Sequence, residues 1–436
     1  MDSTTILRQF EALHPKLIDL SLDRVYRLAE DLGNPQLDLP STIHIAGTNG
    51  KGSVLAFLGE MLRADGKRVH EFTSPHLISF HERIKLSTNG HTRKISESQL
   101  TDILERTQKI NASREITFFE ITTLAAFLAF AETPADYLIL ETGLGGRLDA
   151  TNIVDHPEIC ILTSISMDHA NFLGDTVEKI AAEKAGILKP GVPCIVSPQK
   201  DEVLDVIEAR ATELDCELKI AGRDWDAFEQ TGRLIFQDHN SLLDLPLPRL
   251  AGRHQIENAG SAIAAFTSLA HNKVDESSIA RGLTHAHWPA RLQRLEKGEL
   301  FELVPDETEI WIDGGHNPAA AQTVSRYMAE LEDRVSRPLH LIVAMMAGKD
   351  AAAYLNCFKG LAEFVATVTI PDQSGSYDAP SLKKTANGCG LNSDAFANLK
   401  EALSNCGKRN AHPPRILICG SLYFAGHALE LNDCTI

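Results

Sequence analysis

Residues 43–62 constrain the fold more than any other stretch of this chain. Residues 43–46 form a short apolar run that is typical of a buried β-strand, and residues 54–62 carry apolar side chains at helical spacing. Three glycines and a lysine lie between these two segments. A strand, a glycine-rich turn and a helix in this order form a cradle for phosphate, because backbone N–H groups and the helix N-terminus converge on an anion.

The turn departs from the strict nucleotide-binding pattern G-x-x-x-x-G-K-[ST]. Ile45 stands at the first glycine position, and Gly52 separates Lys51 from Ser53. The alternative interpretation is a glycine-rich turn with a lysine at the surface. The order of strand, loop and helix favours a nucleoside triphosphate site, in which Lys51 supplies a full positive charge.

Composition limits the classes of function. The 436 residues are enough for two or three domains, and a formal net charge of −17 argues against non-specific nucleic-acid binding. The eight cysteines are scattered and form no C-x-x-C pair, which indicates reduced thiols. No apolar run approaches the ~20 residues that span a bilayer, and the first residues show no secretory signal. We therefore expect a cytoplasmic protein with no membrane partner.

The first part of the chain alternates between apolar strands and helices. Strand patterns lie at residues 43–46, at 68–77 (a strand that runs into a loop), and at 137–141, 159–165 and 194–196, and helical patterns alternate with them. This alternation predicts an α/β fold with a doubly wound, mostly parallel sheet. Residues 78–86 show no periodicity and are expected to be irregular, whereas residues 222–250 predict small antiparallel strands.

A second α/β pattern begins after a proline near residue 289, with apolar runs at 309–312, 340–345, 363–370 and 415–419. We therefore place a domain boundary there. The predicted domains are residues 1–290, which hold the nucleotide, and residues 291–436, a smaller α/β domain.

Polar side chains follow several of the predicted strands. Ligands of doubly wound sheets bind beyond the carboxyl ends of the strands, and Lys51, Ser74, Glu141 and His169 each follow an apolar run. Together with Ser53, the last three of these side chains offer the oxygen-rich donors that Mg²⁺ prefers. Taken singly, Glu141 could be a helix cap or an ion-pair partner and His169 a satisfied loop histidine.

Other candidates remain open on the residues alone. Asp149 and Asp168 could lie behind a metal or simply form turns. Lys184 follows a glutamate in a helical pattern, where a lysine is usually solvated or paired. Asp313 and His316 lie between a strand and a helix, in position for ligand contact, with an N-terminal helix cap as the alternative. Arg291, near the domain boundary, could reach a nucleotide or pair with an acid.

These motifs together resemble the Mur ligase superfamily, and within it the folylpolyglutamate synthase family. The stretch Gly143-Leu144-Gly145-Gly146-Arg147-Leu148-Asp149-Ala150-Thr151-Asn152 is specific to the folate branch, whereas the glycine-rich loop alone indicates only the superfamily. One position departs from some relatives, where Gly314 and Gly315 replace a more common alanine-containing pair. The matching stretches cover the chain nearly from end to end and are residues 14–20, 46–53, 73–77, 118–120, 141–152, 167–169, 183–187, 254–259, 289–291, 313–318 and 420–423.

The resemblance implies a P-loop-type ATPase domain, a smaller C-terminal α/β domain, and roles for individual residues. Lys51, Lys184 and His316 are implied as catalytic, and Lys184 matches the lysine that this family carbamylates. Ser74, Glu141 and His169 are implied as Mg²⁺ ligands. The implied ATP contacts are Asn49, Gly50, Lys51, Gly52, Ser53, Asn258, Arg291 and Asp313. The implied folate-substrate contacts are Ile18, Asp19, Leu20, Thr117, Phe118, Phe119, Glu120, Leu148, Asp149 and Ala150.

The implied reaction is ATP-dependent amide formation through an acyl phosphate. L-Glutamate is joined to dihydropteroate, or to reduced folates that already carry glutamate, by a monomeric enzyme that uses ATP and two Mg²⁺ ions. A monovalent cation is a further candidate cofactor. The alternatives are extension of folates only, another Mur-type amino-acid ligase, and a nucleotide-binding switch without ligase activity. A peptidoglycan ligase would need a UDP-binding domain ahead of the loop, where only about forty residues precede it.

Overall fold

A computed structural model describes residues 2–14, 18–88, 90–269 and 275–433 of the chain. Residues 15–17, which belong to the first motif above, and Cys434 lie outside this range. The described chain divides into two compact units. One comprises residues up to 249 together with 255–286, and the other comprises residues 250–254 and those from 287 onward. No helix in the described part of the chain is both long and apolar enough to cross a lipid bilayer.

The first unit is built around a mixed, mainly parallel sheet. Within the described residues this sheet has eight strands in the order β4-β3-β2-β5-β1-β6-β7-β8, and the β2–β3 and β3–β4 pairings are antiparallel whereas the others are parallel. The strands are β1 (Ser41–Ala46), β2 (Val69–Phe72), β3 (Ile84–Thr88), β4 (His91–Lys94), β5 (Tyr137–Glu141), β6 (Ile159–Leu162), β7 (Cys194–Val196) and β8 (Leu218–Ile220).

Helices connect these strands. They are α1 (Ser3–Glu11), α2 (Asp23–Asp31), α3 (Lys51–Ala64), α4 (Glu97–Asn111), α5 (Phe118–Glu132), α6 (Ala170–Leu173), α7 (Val177–Ala185), α8 (Asp201–Leu214), α9 (His254–Leu269) and α10 (Glu276–His285). Short 3₁₀ turns span Pro35–Leu37, Phe80–Arg83 and Ala150–Ile153. Strand β1 lies between β5 and β6, among the parallel strands. Five of its six residues are buried, as expected for a strand covered on both faces.

Helix α3 follows β1 and is buried nearly all round. Helix α10 packs against it so closely that a Cβ at Gly282 would overlap Met61. The glycine-rich loop therefore connects two elements that are rigidly packed. A small antiparallel sheet in the order β11-β10-β9 completes the unit, with β9 (Trp225–Gln230), β10 (Arg233–Asp238) and β11 (Leu242–Leu245).

The second unit has its own sheet, in the order β12-β13-β17-β14-β15-β16, with only β12 antiparallel among the described strands. The strands are β12 (Gln293–Arg294), β13 (Glu309–Ile312), β14 (Leu339–Val343), β15 (Phe364–Thr367), β16 (Ser393–Ala395) and β17 (Arg415–Cys419). The helices are α11 (Pro318–Arg334), α12 (Ala351–Asn356), α13 (Ala379–Gly388), α14 (Leu399–Lys408) and α15 (Leu422–Leu431), with a 3₁₀ turn at Glu299–Leu303.

The predicted fold class, a doubly wound α/β sheet followed by a smaller α/β domain, is confirmed. The expectation of irregular chain over residues 78–86 is wrong, because this stretch contains the Phe80–Arg83 turn and the start of β3. Strand β3 pairs antiparallel with β2, and its residues Ile84 and Leu86 are buried. Its apolar residues are few and close to a turn, so the pattern was too short to register as a strand.

Candidate active site

The glycine-rich loop leaves β1 at Ala46 and enters α3 at Lys51. Gly47 and Gly50 have φ angles of 154° and 93°, and a Cβ at Gly47 would overlap the side chain of Thr163. Both positions therefore require glycine. Among the described residues, no side chain caps the N-terminus of α3, where the N-cap position is Gly50. The first backbone N–H groups of a helix have no partner within the helix, so this end of α3 offers donors to an anion.

Two lysines converge on the carbonyl oxygen of Gly47. Lys51 Nζ donates to it at 3.1 Å, and Lys184 Nζ, 137 residues away in sequence, donates at 2.9 Å. Lys51 Nζ also lies 3.8 Å from Oε1 of Glu141, the last residue of β5. The fold thus brings two cationic groups and one carboxylate together at the carboxyl ends of β1 and β5.

Lys184 is buried, with 5% of its surface exposed. Its burial, followed by the nearby charge of Lys51, lowers the pKa of Lys184 to about 7. The preceding residue, Glu183, pairs instead with Arg147 at 2.8 Å. The alternative of a solvated or acid-paired lysine does not fit this position, because the loop at residues 143–149 covers this part of α7.

Close packing of this loop on α7 explains the burial. A Cβ at Gly146 would overlap the carbonyl oxygens of Glu183 and Lys184, and a Cβ at Gly186 would overlap Arg147. The backbone N–H of Arg147 donates to the Glu183 carbonyl at 2.7 Å. Glycines on both sides of the contact therefore let the two backbones approach, and the lysine is excluded from water.

Ser74, Glu141 and His169 lie around the carboxyl ends of β2, β5 and β6. The backbone N–H of Ser74 lies 3.4 Å from Oε2 of Glu141. The Ser74 hydroxyl oxygen is buried and has no hydrogen-bond partner among the described residues. His169 has a left-handed backbone (φ 50°), and its Nε2 lies 3.9 Å from a carboxylate oxygen of Asp168.

A cavity of about 230 Å³ opens beside these residues within the first unit. The ten residues implied as folate-substrate contacts all line it, together with Ser74 and His169. Three separate segments supply these walls: residues 18–20, the start of α5, and the loop before the 3₁₀ turn Ala150–Ile153. The other lining residues are Pro75, Arg83, Gly143 and Leu144.

Two acidic residues of the cavity wall are held by Arg24 of α2. Its guanidinium donates to Glu120 at 2.8 and 3.0 Å and to Asp19 at 2.9 Å. Glu120 also accepts the backbone N–H of Thr117 at 2.8 Å, in a capping box that begins α5. Both carboxylates therefore have structural partners, and Arg24 is a residue that the sequence patterns did not single out.

Arg83 is a second residue that the sequence analysis missed. Its guanidinium lies 5.2 Å from the ring centre of Phe80 and 5.9 Å from that of Phe118, and its Nε donates to His76 at 3.0 Å. It thus brings positive charge to a cavity wall that is otherwise largely apolar. It lies within residues 78–86, which show no periodicity, so no pattern pointed to it.

Asn258 of α9 packs against the glycine-rich loop. A Cβ at Gly50 would overlap its Oδ1, and its Nδ2 donates to Gln255 at 3.0 Å. Of the residues implied as ATP contacts, the structure thus brings Asn258 and the loop residues together within the first unit.

In the second unit, Asp313 follows β13 and is buried. Its carboxylate accepts the backbone N–H of Leu292 at 2.9 Å and that of Gly315 at 2.7 Å. Burial raises the pKa of Asp313, and the charge of Arg291 opposes that rise. His316 Nδ1 lies 3.2 Å from the carbonyl oxygen of Gly314.

The N-terminus of α11 is capped by Asn317, whose Oδ1 accepts the N–H of Ala320 at 2.9 Å. The N-terminal cap that was the alternative for Asp313 and His316 is therefore provided by Asn317. Asp313 instead ties the segment around residue 292 to its own loop.

Comparison with known proteins decides the family. Residues 45–266 match the family described as Mur ligase middle domain, and residues 296–431 match the family described as dihydrofolate synthetase, C-terminal domain. The chain is 30% identical to a dihydrofolate synthetase of Saccharomyces cerevisiae over 95% of this chain and 98% of that protein. It is 32% identical to a dihydrofolate synthase/folylpolyglutamate synthase of Escherichia coli over 98% of this chain and 94% of that protein. The chain belongs to the folylpolyglutamate synthase family.

Solved structures of the folylpolyglutamate synthase family agree with the fold. Escherichia coli FolC in complex with DHPP and ADP has a TM-score of 0.88 at 30% identity and covers 99% of this chain and 98% of that one. A bifunctional folylpolyglutamate synthase/dihydrofolate synthase with Mn, AMPPNP and L-glutamate bound has a TM-score of 0.83 at 28% identity, with coverage of 99% and 98%.

The residues around the carboxyl ends of β2 and β5 fit the divalent metal expected for this family. Mg²⁺ prefers oxygen donors and keeps several of its waters. Ser74 offers a buried hydroxyl oxygen that has no other partner among the described residues, and Glu141 offers a buried carboxylate. His169 adds an accessible imidazole beside the cavity.

Proposed function

We propose that the chain is an ATP-dependent ligase that joins L-glutamate to dihydropteroate, giving dihydrofolate, and to folates that already carry glutamate. One observation carries the proposal. Lys51 and Lys184 donate to a single carbonyl oxygen at an uncapped helix N-terminus, and Lys51 lies beside Glu141, whose neighbour Ser74 lines the cavity.

The ligands of relatives support this assignment. The Escherichia coli relative binds ADP and DHPP, and the bifunctional relative binds AMPPNP, Mn and L-glutamate. We extend these ligand classes to this chain: ATP, a divalent metal, glutamate and a pterin-containing acceptor.

The first chemical step activates a carboxylate, which is a poor electrophile. Its oxygen attacks the γ-phosphorus of ATP, and the bond from that phosphorus to the β-phosphate oxygen breaks. ADP departs, and the carboxylate becomes an acyl phosphate. Such a step depends on positioning and on neutralising charge over the phosphoryl oxygens. Lys51 and the N–H groups of Gly52 and Ser53 supply positive charge and donors for it, with Asn49 and Gly50 shaping the loop.

The second step forms the amide bond. The α-amino nitrogen of glutamate attacks the activated carbonyl carbon, phosphate leaves with the electrons of the C–O bond, and the nitrogen loses a proton. Asn258, Arg291 and Asp313 are proposed as further nucleotide contacts, and His316 as a catalytic residue.

Ser74, Glu141 and His169 would hold Mg²⁺. When bound, the metal would offset the negative charge of the phosphates. We propose that the enzyme uses two Mg²⁺ ions, with a monovalent cation as a further candidate cofactor.

The environment of Lys184 suits the carbamate that its motif implies. Carbamate formation joins the nitrogen of a neutral amine to the carbon of CO₂ and releases a proton. Since the pKa of Lys184 is lowered to about 7, about half of these side chains are neutral near pH 7. An ordinary lysine, with a pKa near 10.4, is neutral in roughly one molecule in a thousand or fewer at that pH.

The cavity in the first unit is proposed to hold the folate substrate. Its walls are mainly apolar and include the aromatic rings of Phe118 and Phe119. Aromatic rings pack favourably on other flat rings, and Arg83 brings positive charge that suits an acidic substrate.

The remaining expectations stand as proposals. We propose domain limits of 1–290 and 291–436, a monomeric enzyme and a cytoplasmic location. The seven cysteines among the described residues are all free thiols, which is compatible with a reducing compartment.

A single assay tests the function. The protein is incubated with ATP, Mg²⁺ and L-glutamate, with either dihydropteroate or tetrahydrofolate as acceptor, and the products are identified by mass spectrometry. We expect one glutamate to be added to dihydropteroate and at least one to a folate that already carries glutamate. Addition to the folate alone would indicate extension only, and ADP release that ignores both glutamate and acceptor would indicate a nucleotide switch instead.

A further inference from the structure

A series of three hydrogen-bonded, buried side chains leads from strand β1 to the cavity wall. His44 lies in β1, Thr151 lies in the 3₁₀ turn Ala150–Ile153, and Asp149 precedes that turn and lines the cavity. His44 and Thr151 have no exposed surface, and Asp149 is 3% exposed. His44 Nε2 lies 2.9 Å from Thr151 Oγ1, and Thr151 Oγ1 lies 2.6 Å from Asp149 Oδ1.

The donors in this series follow from the contacts of Asp149. Its Oδ1 also accepts the backbone N–H of Thr151 at 3.0 Å, and its Oδ2 accepts that of Leu144 at 2.7 Å. Both oxygens therefore act as acceptors, and the Thr151 hydroxyl proton points to Oδ1. A hydroxyl has one proton, so Thr151 Oγ1 must accept from His44, which requires a proton on Nε2.

The other ring nitrogen of His44 agrees with this assignment. Nδ1 is buried and has no hydrogen-bond partner among the described residues. A buried N–H without an acceptor is costly, so Nδ1 is the nitrogen without a proton. Burial lowers the pKa of His44 to about 3, so the ring is neutral.

We infer that His44 and Thr151 are positioning residues that aim the carboxylate of Asp149 into the cavity, where it accepts N–H donors from the ring of the acceptor substrate. This inference rests on the proposed function. Thr151 and Leu144 donate three hydrogen bonds to the carboxylate, and the backbone N–H of Gly143 also interacts with it. Burial raises the pKa of Asp149, and these hydrogen bonds oppose that rise. The same contacts hold the side chain in one orientation at the cavity wall, because rotation would break them.

The arrangement also makes the substrate contact stronger. A donor that is itself hydrogen-bonded is polarised, and such chains strengthen one another where water is excluded. His44 therefore supports the Thr151–Asp149 bond without approaching the substrate. Loss of the Thr151 hydroxyl would leave Oδ1 held less firmly, by the backbone N–H of Thr151 at 3.0 Å.

Kinetics of three variants test the inference. Thr151→Val keeps the shape of the side chain and removes its hydroxyl, whereas Thr151→Ser keeps the hydroxyl. Thr123→Val is the matched control, since the Thr123 hydroxyl is equally buried and has no partner among the described residues.

We expect Thr151→Val to raise the KM for dihydropteroate about tenfold, while kcat and the KM for ATP change less than about twofold. Thr151→Ser should restore most of the loss, and Thr123→Val should behave like the original protein. An unchanged KM in Thr151→Val, a parallel change in every parameter, or a failure of Thr151→Ser to restore binding would overturn the inference.

The protonated ring nitrogen of His44 can be measured independently, even if the Thr151 variants do not fold. Nitrogen-15 NMR of the histidine-labelled original protein, with the His44 signal assigned by its loss in His44→Gln, should show the proton on Nε2. A proton on Nδ1 would overturn the chain of donors. If the original protein does not act on dihydropteroate at all, the proposed function fails, whereas the NMR result still decides whether the chain of donors exists.

Discussion

Two strand–loop–helix connections, one in each unit, illustrate how the same local pattern serves different ends. In the first unit, β1 leads through residues 47–50 to α3, and the N-cap position is Gly50, which has no side chain. In the second unit, β13 leads through residues 313–317 to α11, and Asn317 caps the helix. Only the first connection leaves its helix N-terminus open to a ligand.

The two connections also differ in the charge that they carry. Two lysines donate to Gly47 in the first, whereas one buried carboxylate, Asp313, accepts two backbone N–H groups in the second. The first connection thus concentrates positive charge where an anion can bind, and the second uses its charged group to hold two segments together. Capping and charge together, not the order of elements, distinguish the phosphate loop from the second connection, where Asp313 and His316 are proposed to act through their side chains and not through an open helix N-terminus.

The largest expected effect follows removal of charge at the first connection. Lys51→Ala should lower kcat by about 10³-fold, since it removes a cation that offsets charge in phosphoryl transfer. The fold should be kept, because the ammonium contacts a backbone carbonyl and a carboxylate and not the apolar core, and circular dichroism checks this. Near-normal turnover in a folded variant would contradict the assignment of this loop to ATP.

Substitutions of Lys184 can distinguish a role of its carbamate from a role of its positive charge. Lys184→Ala and Lys184→Arg should both lose at least about 10²-fold in kcat, because neither forms the carbamate. Acetate at high concentration should partly restore Lys184→Ala by supplying a carboxylate. A Lys184→Arg enzyme with most of its activity would show that the charge alone matters.

Removal of the proposed metal ligands should have a smaller effect. Glu141→Gln and His169→Ala should each raise the Mg²⁺ concentration for half-maximal rate by about tenfold, since each lacks one ligand of a hydrated ion. Titration of the rate with MgCl₂ measures this. An unchanged Mg²⁺ dependence in both variants would place the metal elsewhere.

Glycine substitution tests the open helix terminus directly. Gly50→Ala should raise the KM for ATP about tenfold, because its Cβ would push Asn258 and strain a left-handed backbone. Gly66→Ala is the matched control, since Gly66 also has a left-handed φ of 79° but has nothing within 4 Å of its Cβ position. Equal effects of the two variants on the KM for ATP would mean that backbone strain alone is responsible.

The smallest effect is expected at the capped helix of the second unit. Asn317→Ala should lower the free energy of unfolding by about 1 kcal/mol, the usual cost of losing an N-cap. Asn317→Asp, which keeps an acceptor at the helix N-terminus, should restore it. Urea unfolding measures both, and no loss of stability in Asn317→Ala would remove the contrast between the two connections.

Much of the fold was predictable because it depends on local patterns. The apolar run at residues 43–46 and the helical spacing after Lys51 predicted β1 and α3, and the family followed from motifs along the chain. Strand β3 was missed because its buried positions are decided by its pairing with β2. Arg24 and Arg83 were missed because each meets the cavity through residues distant in sequence or through aromatic neighbours.

The environment of individual groups required the tertiary structure. The sequence placed Lys184 in a helix, but its contact with Gly47 and its lowered pKa arise from burial by the loop at residues 143–149. Asp149 was a candidate by its motif, yet the Thr151 hydroxyl that donates to it is in turn hydrogen-bonded to His44 of β1, about a hundred residues away in sequence. Periodicity acts over a few neighbouring residues and can be read from the order of amino acids. Exclusion of water and hydrogen-bond direction depend on groups that only the folded chain brings together.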